Sequence, residues 1–340
     1  MGTAASLKTI AEEAGVAVST VSRAFTRPEL IGEETRAQIL AIAERVGYQP
    51  NRSARGLVTG RTSMLGLLVP DISNPFFPPL VRAAEDRAYE RGYAVLLMDT
   101  DEHADRERQL LGDLTGRVDG LVTCSPRSPA SHLREVAQRR PMVLVNRSIP
   151  GVTSVSCSTR DGLGHLVDHL HGLGHRNIVY LAGPASSWSD RERRSSVRQQ
   201  AGRRGMQVEV LGPFPATFSG GVQAGDAVVA SGATAAVAFD DVVALGAMRR
   251  LSELGYDVPG KVSVSGCDDI FFSVMTMPSL TTVATPIAQA GRTAVDLLLD
   301  QIEGRSRAQQ VSLSGEFVAR SSTGPVAQSA RRRAARRTSA

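Results

Sequence analysis

The order of apolar and polar positions divides the chain into a short helical head and a long core in which apolar runs alternate with amphipathic ones. In "SLKTIAEEAGVAVSTVSRAF", Leu7, Ile10, Ala11 and Ala14 recur at helical spacing, and Ser6 stands where an N-cap belongs. The pattern predicts one helix from Leu7 to about Glu13, ended by Gly15. A second runs from about Val18 to Phe25, burying Val21 and leaving Val18, Ser19, Ser22 and Arg23 on its outer side. Only a residue tolerant of positive φ suits so tight a turn, and Ala11, Ala14 and Ala24 are small enough for two helices to cross at close range. A third pattern, Glu34 to Val46, presents Ile39, Leu40, Ile42, Ala43 and Val46 and stops at Gly47. Together these segments predict a helix-turn-helix with a supporting helix. Such a unit places its second helix in the major groove of DNA, with base edges and phosphates within reach of its outer side chains.

From Met64 the runs "MLGLLVP", "AVLLMDT", "GLVTC", "MVLVN", "IVYLAG", "AAVAFD" and "VSVSG" read as buried parallel strands. Segments between them, such as "PPLVRAAEDRAYERG" and "VVALGAMRRLSELG", read as amphipathic crossover helices. The fold class expected is therefore α/β, an all-α head followed by a core of doubly wound parallel sheets. A similar succession of strands and helices before and after about residue 163 predicts two lobes. The layout expected is a head over 1–50, a linker over 51–63, a core over 64–325 and a basic tail over 326–340. In open α/β sheets ligands bind at the carboxyl ends of strands, which draws attention to the polar residues there. Asp71 and Asn74 follow the first strand, Asp161 precedes "GLGHLVDHL", Asp240 and Asp241 end "AAVAF", and Asp268 and Asp269 follow "VSVSGC".

Composition narrows the class. At 340 residues and 42% hydrophobic content the chain is an ordinary globular protein. No window approaches the roughly 18 uninterrupted apolar residues of a membrane span, and the N-terminus has no signal-peptide pattern, so a cytoplasmic, nucleoid-associated location is expected. Cys124, Cys157 and Cys267 are odd in number and far apart, which suits buried small hydrophobes better than disulfides or zinc. Residues 1–61 hold eight Lys or Arg against six acids, and residues 326–340 hold five Arg and no acid, so the middle of this +5 chain carries −2. The basic ends are electrostatic handles for phosphate.

Enzyme signatures are missing. "HLVDH" sets His165 and His169 on one helical face near His171 and His175, but it has Asp168 where the metalloprotease patterns need Glu. "GLGHLV" lacks the last small residue of a dinucleotide fingerprint, and neither G-x-S-x-G nor a phosphate loop is present. No enzyme activity, cofactor or metal is expected.

The head sequence, with "TRAQILAIAERVGYQPNRSARGL" after it, resembles the DNA-binding headpiece of the lac repressor and galactose repressor family. "GLLVPDISNPFF", "RVDGLV", "HLHGLGHRNIVYLAGP", "AFDDVVALGAMRRLSELGYDVPGKVSVSGCDD" and "PSLTTV" resemble that family's regulatory core, which carries the likeness from Ser6 to about Pro325. The resemblance implies a ligand-responsive repressor that binds a palindromic operator as a homodimer, with a small molecule, a sugar by preference, in the core cleft. It assigns base reading to Val18, Ser19 and Arg23, phosphate contacts to Thr20 and Ser22, and a minor-groove wedge to Leu57 in a hinge helix. Effector contacts fall to Asp161, Arg193, Asp240 and Asp268, with Phe76 and Ile287 as apolar walls; Asp71 and Asn74 join this candidate effector site by their place after the first strand. Three positions depart from the family: Ala17 replaces a side-chain cap, Gly56 weakens the hinge helix, and Asp240 stands where Asn is usual, which leaves a polyol, an amino sugar or another cationic ligand open. The competing class is a sugar receptor of the same core without regulatory DNA binding. The helix-turn-helix head decides against it.

Overall fold

The computed structural model describes residues 6–48, 61–305 and 308–326. The chain divides into two compact units, Met1–Ser63 and Met64–Ala340. Leu57, Gly56 and the Arg-rich stretch after Val326 lie outside the described residues.

In the first unit, α1 (Leu7–Ala14) is capped by Ser6, whose Oγ accepts from the Thr9 amide at 3.2 Å. Gly15, at φ 67°, turns the chain left-handed and returns its amide to the Ala11 carbonyl. Helix α2 (Val18–Thr26) and helix α3 (Glu33–Arg45) close a small core of Ile10, Ala11, Val21, Ala24, Ile39, Ile42 and Ala43. Leu40, expected on the buried face, is 37% exposed instead. It follows Ile39 directly, and 100° around a helix turns it away from the two helices that cover its neighbour.

In the second unit, six strands form a parallel sheet in the order β11-β5-β4-β3-β1-β2. They are β1 (Met64–Val69), β2 (Ala94–Asp99), β3 (Gly120–Cys124), β4 (Met142–Val145), β5 (Thr153–Ser158) and β11 (Gln310–Ser314). A second parallel sheet, in the order β7-β6-β8-β9, contains β6 (Asn177–Leu181), β7 (Gln207–Leu211), β8 (Ala235–Ala238) and β9 (Ser263–Ser265). Short β10 (Thr282–Ala284) and β12 (Glu316–Val318) pair antiparallel. All seven runs read from the sequence are strands. Five strands escaped that reading: β5 ("TSVSCS") and β11 ("QVSLS") are rich in Ser, β7 ("QVEVL") alternates at a sheet edge, and β10 and β12 are only three residues long. β2, read as a buried strand, is the other edge of its sheet, and Leu97 is partly exposed there.

The two lobes are not consecutive in sequence. The chain passes to the second lobe through α7 (Arg160–Gly172), then returns, so that α11 (Ile287–Ile302) and β11 belong to the first. Helix α11 packs along α4 (Pro78–Glu90), and Ala290, Ala294, Val295 and Leu298 fill the core beneath the first sheet. At Gly291 a Cβ would lie 2.6 Å from the Leu80 carbonyl oxygen, so the two helices approach closely only because no side chain is there. The remaining crossovers are α5 (Ala104–Thr115) and α6 (Ala130–Arg139) in the first lobe, and α8 (Trp188–Gly202), α9 (Phe218–Ser231) and α10 (Asp241–Glu253) in the second. Among the described residues no helix is long and apolar enough to cross a membrane.

Candidate DNA-reading face and effector cleft

On α2, Val18 is 45% exposed, and Ser19 and Arg23 are exposed beside it, whereas Thr20 and Ser22 are half-buried. Val21 and Ala24, on the opposite side, anchor the helix in the head core. Ala17 caps α2 with no side-chain bond, so its first turn is covered by no polar side chain of its own.

The core's central cavity, about 30 Å³, lies where strand ends of both lobes meet. Asn74, Phe76, Arg193, Asp240 and Asp268, all named from the sequence, line it together. Asp71 lines a larger groove of about 1010 Å³, which Asn74 also borders. Asp161 is exposed in the first turn of α7 and lines neither cavity. Ile287 is buried in the first lobe's core at the start of α11, likewise off the cleft wall. Both lie next to a lobe crossover, where the sequence alone does not say which face turns inward.

Arg193 is the centre of the site. Its Nη2 donates to Asp268 Oδ1 at 2.6 Å, its Nη1 donates to the Phe239 carbonyl at 2.7 Å, and its guanidinium stands 5.2 Å from the Phe239 ring centre. Helix α8 holds it there: Ser187 caps the helix, and buried Asp190 accepts from Tyr180 Oη and the Gly183 amide. Burial is the largest single influence on the guanidinium and would lower its pKa, but Asp268 at contact distance together with its other neighbours outweighs it, and the net shift is upward. Asp240 caps α10 by accepting from the Val243 amide at 2.8 Å. Burial pushes its carboxyl up to about 6 and that of Asp268 up to about 7.

Across the cleft stands an ion pair that sequence reading missed. Arg127 donates to Glu102 at 2.5 and 2.9 Å, and buried Glu107 of α5 accepts from the Arg127 and Ser128 amides to fix that loop. Ser125, Asn146, Ser187 and Ser189 were also missed. A shared backbone feature marks several of these residues. Glu102, Ser125, Asn146 and Asp268 have φ of 58°, 45°, 56° and 122°, and each follows the carboxyl end of a strand. Non-glycine residues in that region cost on the order of 1–3 kcal/mol each and cluster at ligand clamps. The signal available in sequence was position, since Ser125 and Asn146 come directly after buried strands.

Other candidate groups have structural partners. Asp241 is fully buried and accepts from Thr282 Oγ1, Ser273 Oγ and the Ile270 amide; Asp269 pairs with Arg320 at 2.6 Å. His169 bonds to Thr323, and His175 to Thr234 and the Gly324 carbonyl. Cys157, expected to be buried, is only half-buried beside the cleft, and burial still pushes its thiol up to about 12.

The raised carboxyls make stability pH-dependent. Asp240 and Asp268 have folded pKa values above those of free carboxyls, so their contribution is fully present at low pH and is lost as pH rises through 6 and 7. We expect the effector-free core to melt a few degrees lower at pH 8 than at pH 6, with Asp268→Asn flattening most of that slope and Asp240→Asn only its lower end. Calorimetry across this range checks both; a slope that Asp268→Asn leaves unchanged would assign it to other groups.

The model of the bacterial regulatory proteins of the lacI family matches residues 6–51, and a periplasmic binding protein-like domain matches 167–323. The HTH-type transcriptional regulator PtxS of Pseudomonas plecoglossicida is 31% identical over 94% of this chain and 96% of its own length. This chain belongs to the LacI family. Among solved structures, a lac repressor dimer bound to operator and the anti-inducer ONPF is 28% identical, covers 95% of this chain and 100% of its own, and superposes with a TM-score of 0.84. A LacI family regulator from Enterococcus faecium with bound ribose is 29% identical over 77% of this chain and 99% of its own, with a TM-score of 0.69. This LacI-family chain thus carries a helix-turn-helix head and a periplasmic-binding-like α/β core.

Proposed function

We propose that this protein is an effector-responsive repressor that binds an inverted-repeat operator as a homodimer and takes a sugar between its lobes. The observation that carries the reading is the exposed Val18, Ser19 and Arg23 face on a helix whose other side is locked into the family's DNA-binding head. Val18 has no hydrogen-bonding group and suits a thymine methyl, while Arg23 can serve a guanine edge in two bonds. The uncapped first turn of α2 suits a phosphate oxygen. Leu57, outside the described residues, is the proposed minor-groove wedge.

The cleft supports a polyhydroxy ligand. Asp240 and Asp268 present acceptors, Arg193 and Asn74 donors, and Phe76 and Phe239 apolar faces. The lac repressor relative is a dimer on operator, and the Enterococcus relative holds ribose. A dimer surface is available in this chain as well: Phe271, Phe272, Val274, Met275 and Met277 stand exposed along one short segment.

Selection of bound sequences from random DNA, followed by fluorescence anisotropy on the selected operator with a sugar panel, tests the reading. A palindromic consensus released or tightened by a sugar supports it; absence of any sequence preference would leave the receptor class standing. On that operator Arg23→Ala should weaken binding by about 1–3 kcal/mol and relax preference at one base pair. Equal loss on random DNA would demote Arg23 to a phosphate contact.

A further inference from the structure

A second cavity of about 200 Å³ adjoins the central one, and the two share Asn146, Ser189 and Arg193. Its walls come from both lobes: Ser156 and Cys157 of β5 and Ser312 of β11 on one side, Trp188 and Ser196 of α8 on the other. Two features mark it as a place for a ligand. Ser196 is buried, yet its Oγ has no hydrogen-bond partner among the described residues, an unusual state for a buried hydroxyl. Trp188, the only tryptophan of the chain, is half-buried in a wall otherwise rich in hydroxyls. An aromatic face among hydroxyl and charged groups is the combination that holds a sugar ring, whose C–H face is apolar and whose edge is polar.

The carboxylates of Asp240 and Asp268 line only the central cavity, and Trp188 lines only the second. A ligand that uses both must extend past Arg193. We propose that the second cavity is a subsite for a second sugar ring, so that the effector is a disaccharide rather than a free monosaccharide. This rests on the sugar-sensing reading above. The first ring bonds to Asp240, Asp268 and Arg193 as the lobes part to admit it; the second lies against Trp188, with a hydroxyl to Ser196.

The test uses the full chain, its selected operator, and a panel pairing cellobiose, maltose, lactose, melibiose and xylobiose with glucose, galactose and xylose. Because Trp188 is the only tryptophan, intrinsic emission reads the subsite directly. We expect one disaccharide to shift that emission, to change operator affinity, and to bind at least about tenfold more tightly than its own monosaccharides. Trp188→Leu should remove that advantage in calorimetric titration. Ser312→Leu, at an exposed edge position, should narrow the same cavity without removing a packed side chain, and should weaken the disaccharide selectively. A monosaccharide binding as tightly as any disaccharide, or both variants retaining wild-type disaccharide affinity, overturns the subsite and leaves the sugar sensor intact. If no sugar of either size changes melting temperature or operator affinity, the sensor reading fails and the subsite falls with it.

Discussion

Replacing Val274 and Met277 together by Glu is expected to convert the proposed dimer to monomers and to lower operator affinity by about 10²–10⁴-fold, the advantage lost when two linked heads become one. The segment is held firmly from behind. Ser273 is fully buried and donates to Asp241 Oδ2 at 2.7 Å, the Ile270 amide donates to the same oxygen, and Thr282 ties the other oxygen at 2.6 Å. The short helical turn Phe271–Val274 therefore presents its neighbours outward, with Val274 55% and Met277 100% exposed. Glutamate at these positions meets water in the monomer and leaves its fold intact, but two copies facing each other would bury like charges. Sedimentation velocity reads the association state and anisotropy the affinity. A variant that remains dimeric at micromolar concentration would move the interface elsewhere on the molecule.

The second large effect is at Arg193. Arg193→Ala should abolish the change in operator affinity that the effector produces in the wild type, a coupling typically of about 5–150-fold. The side chain reaches Asp268 and the Phe239 carbonyl from the second lobe's α8 and faces the Glu102–Arg127 pair of the first. A ligand bonded to Arg193 and to first-lobe groups such as Asn74 favours one arrangement of the lobes, and that preference is what DNA binding can sense. Removing one member of a buried ion pair costs about 3–5 kcal/mol when the other stays charged. Here the loss is smaller at low pH, because Asp268, already pushed up to about 7, takes a proton instead of remaining a buried anion. The melting-temperature deficit of the variant should therefore be larger at pH 8 than at pH 6. Reciprocity adds a control: the factor by which effector changes operator affinity must equal the factor by which operator changes effector affinity. A variant that still responded fully would remove Arg193 from the effector site.

What the sequence determined by itself was local. The Ser6 cap, the left-handed turn at Gly15, the missing cap at Ala17 and the buried Val21 follow from residue type and 3.6-residue spacing, which need no partner beyond the next turn. Apart from β2, which is only partly buried, the strand runs were legible for a similar reason, since strands covered on both faces are continuously apolar. Five of the eight cleft residues named in advance line the central cavity: Asn74, Asp240 and Asp268, which follow such strands, and Phe76 and Arg193, which only the family resemblance marked. Tertiary structure alone decided the rest. Sequence gave no sign that α11 and β11 return to the first lobe, because an amphipathic helix suits either sheet until the volume under one is filled. Strand-end position by itself did not separate Asp240 from Asp241, adjacent residues of which one faces the cleft and the other is bonded to Thr282 and Ser273; only the family resemblance singled out Asp240. Sequence did not join Glu102 to Arg127, 25 residues apart, or place Trp188 beside Ser312. Such pairings depend on which strand ends meet across the gap between two sheets, and that is set by the crossings of the chain between lobes rather than by any pattern within a segment.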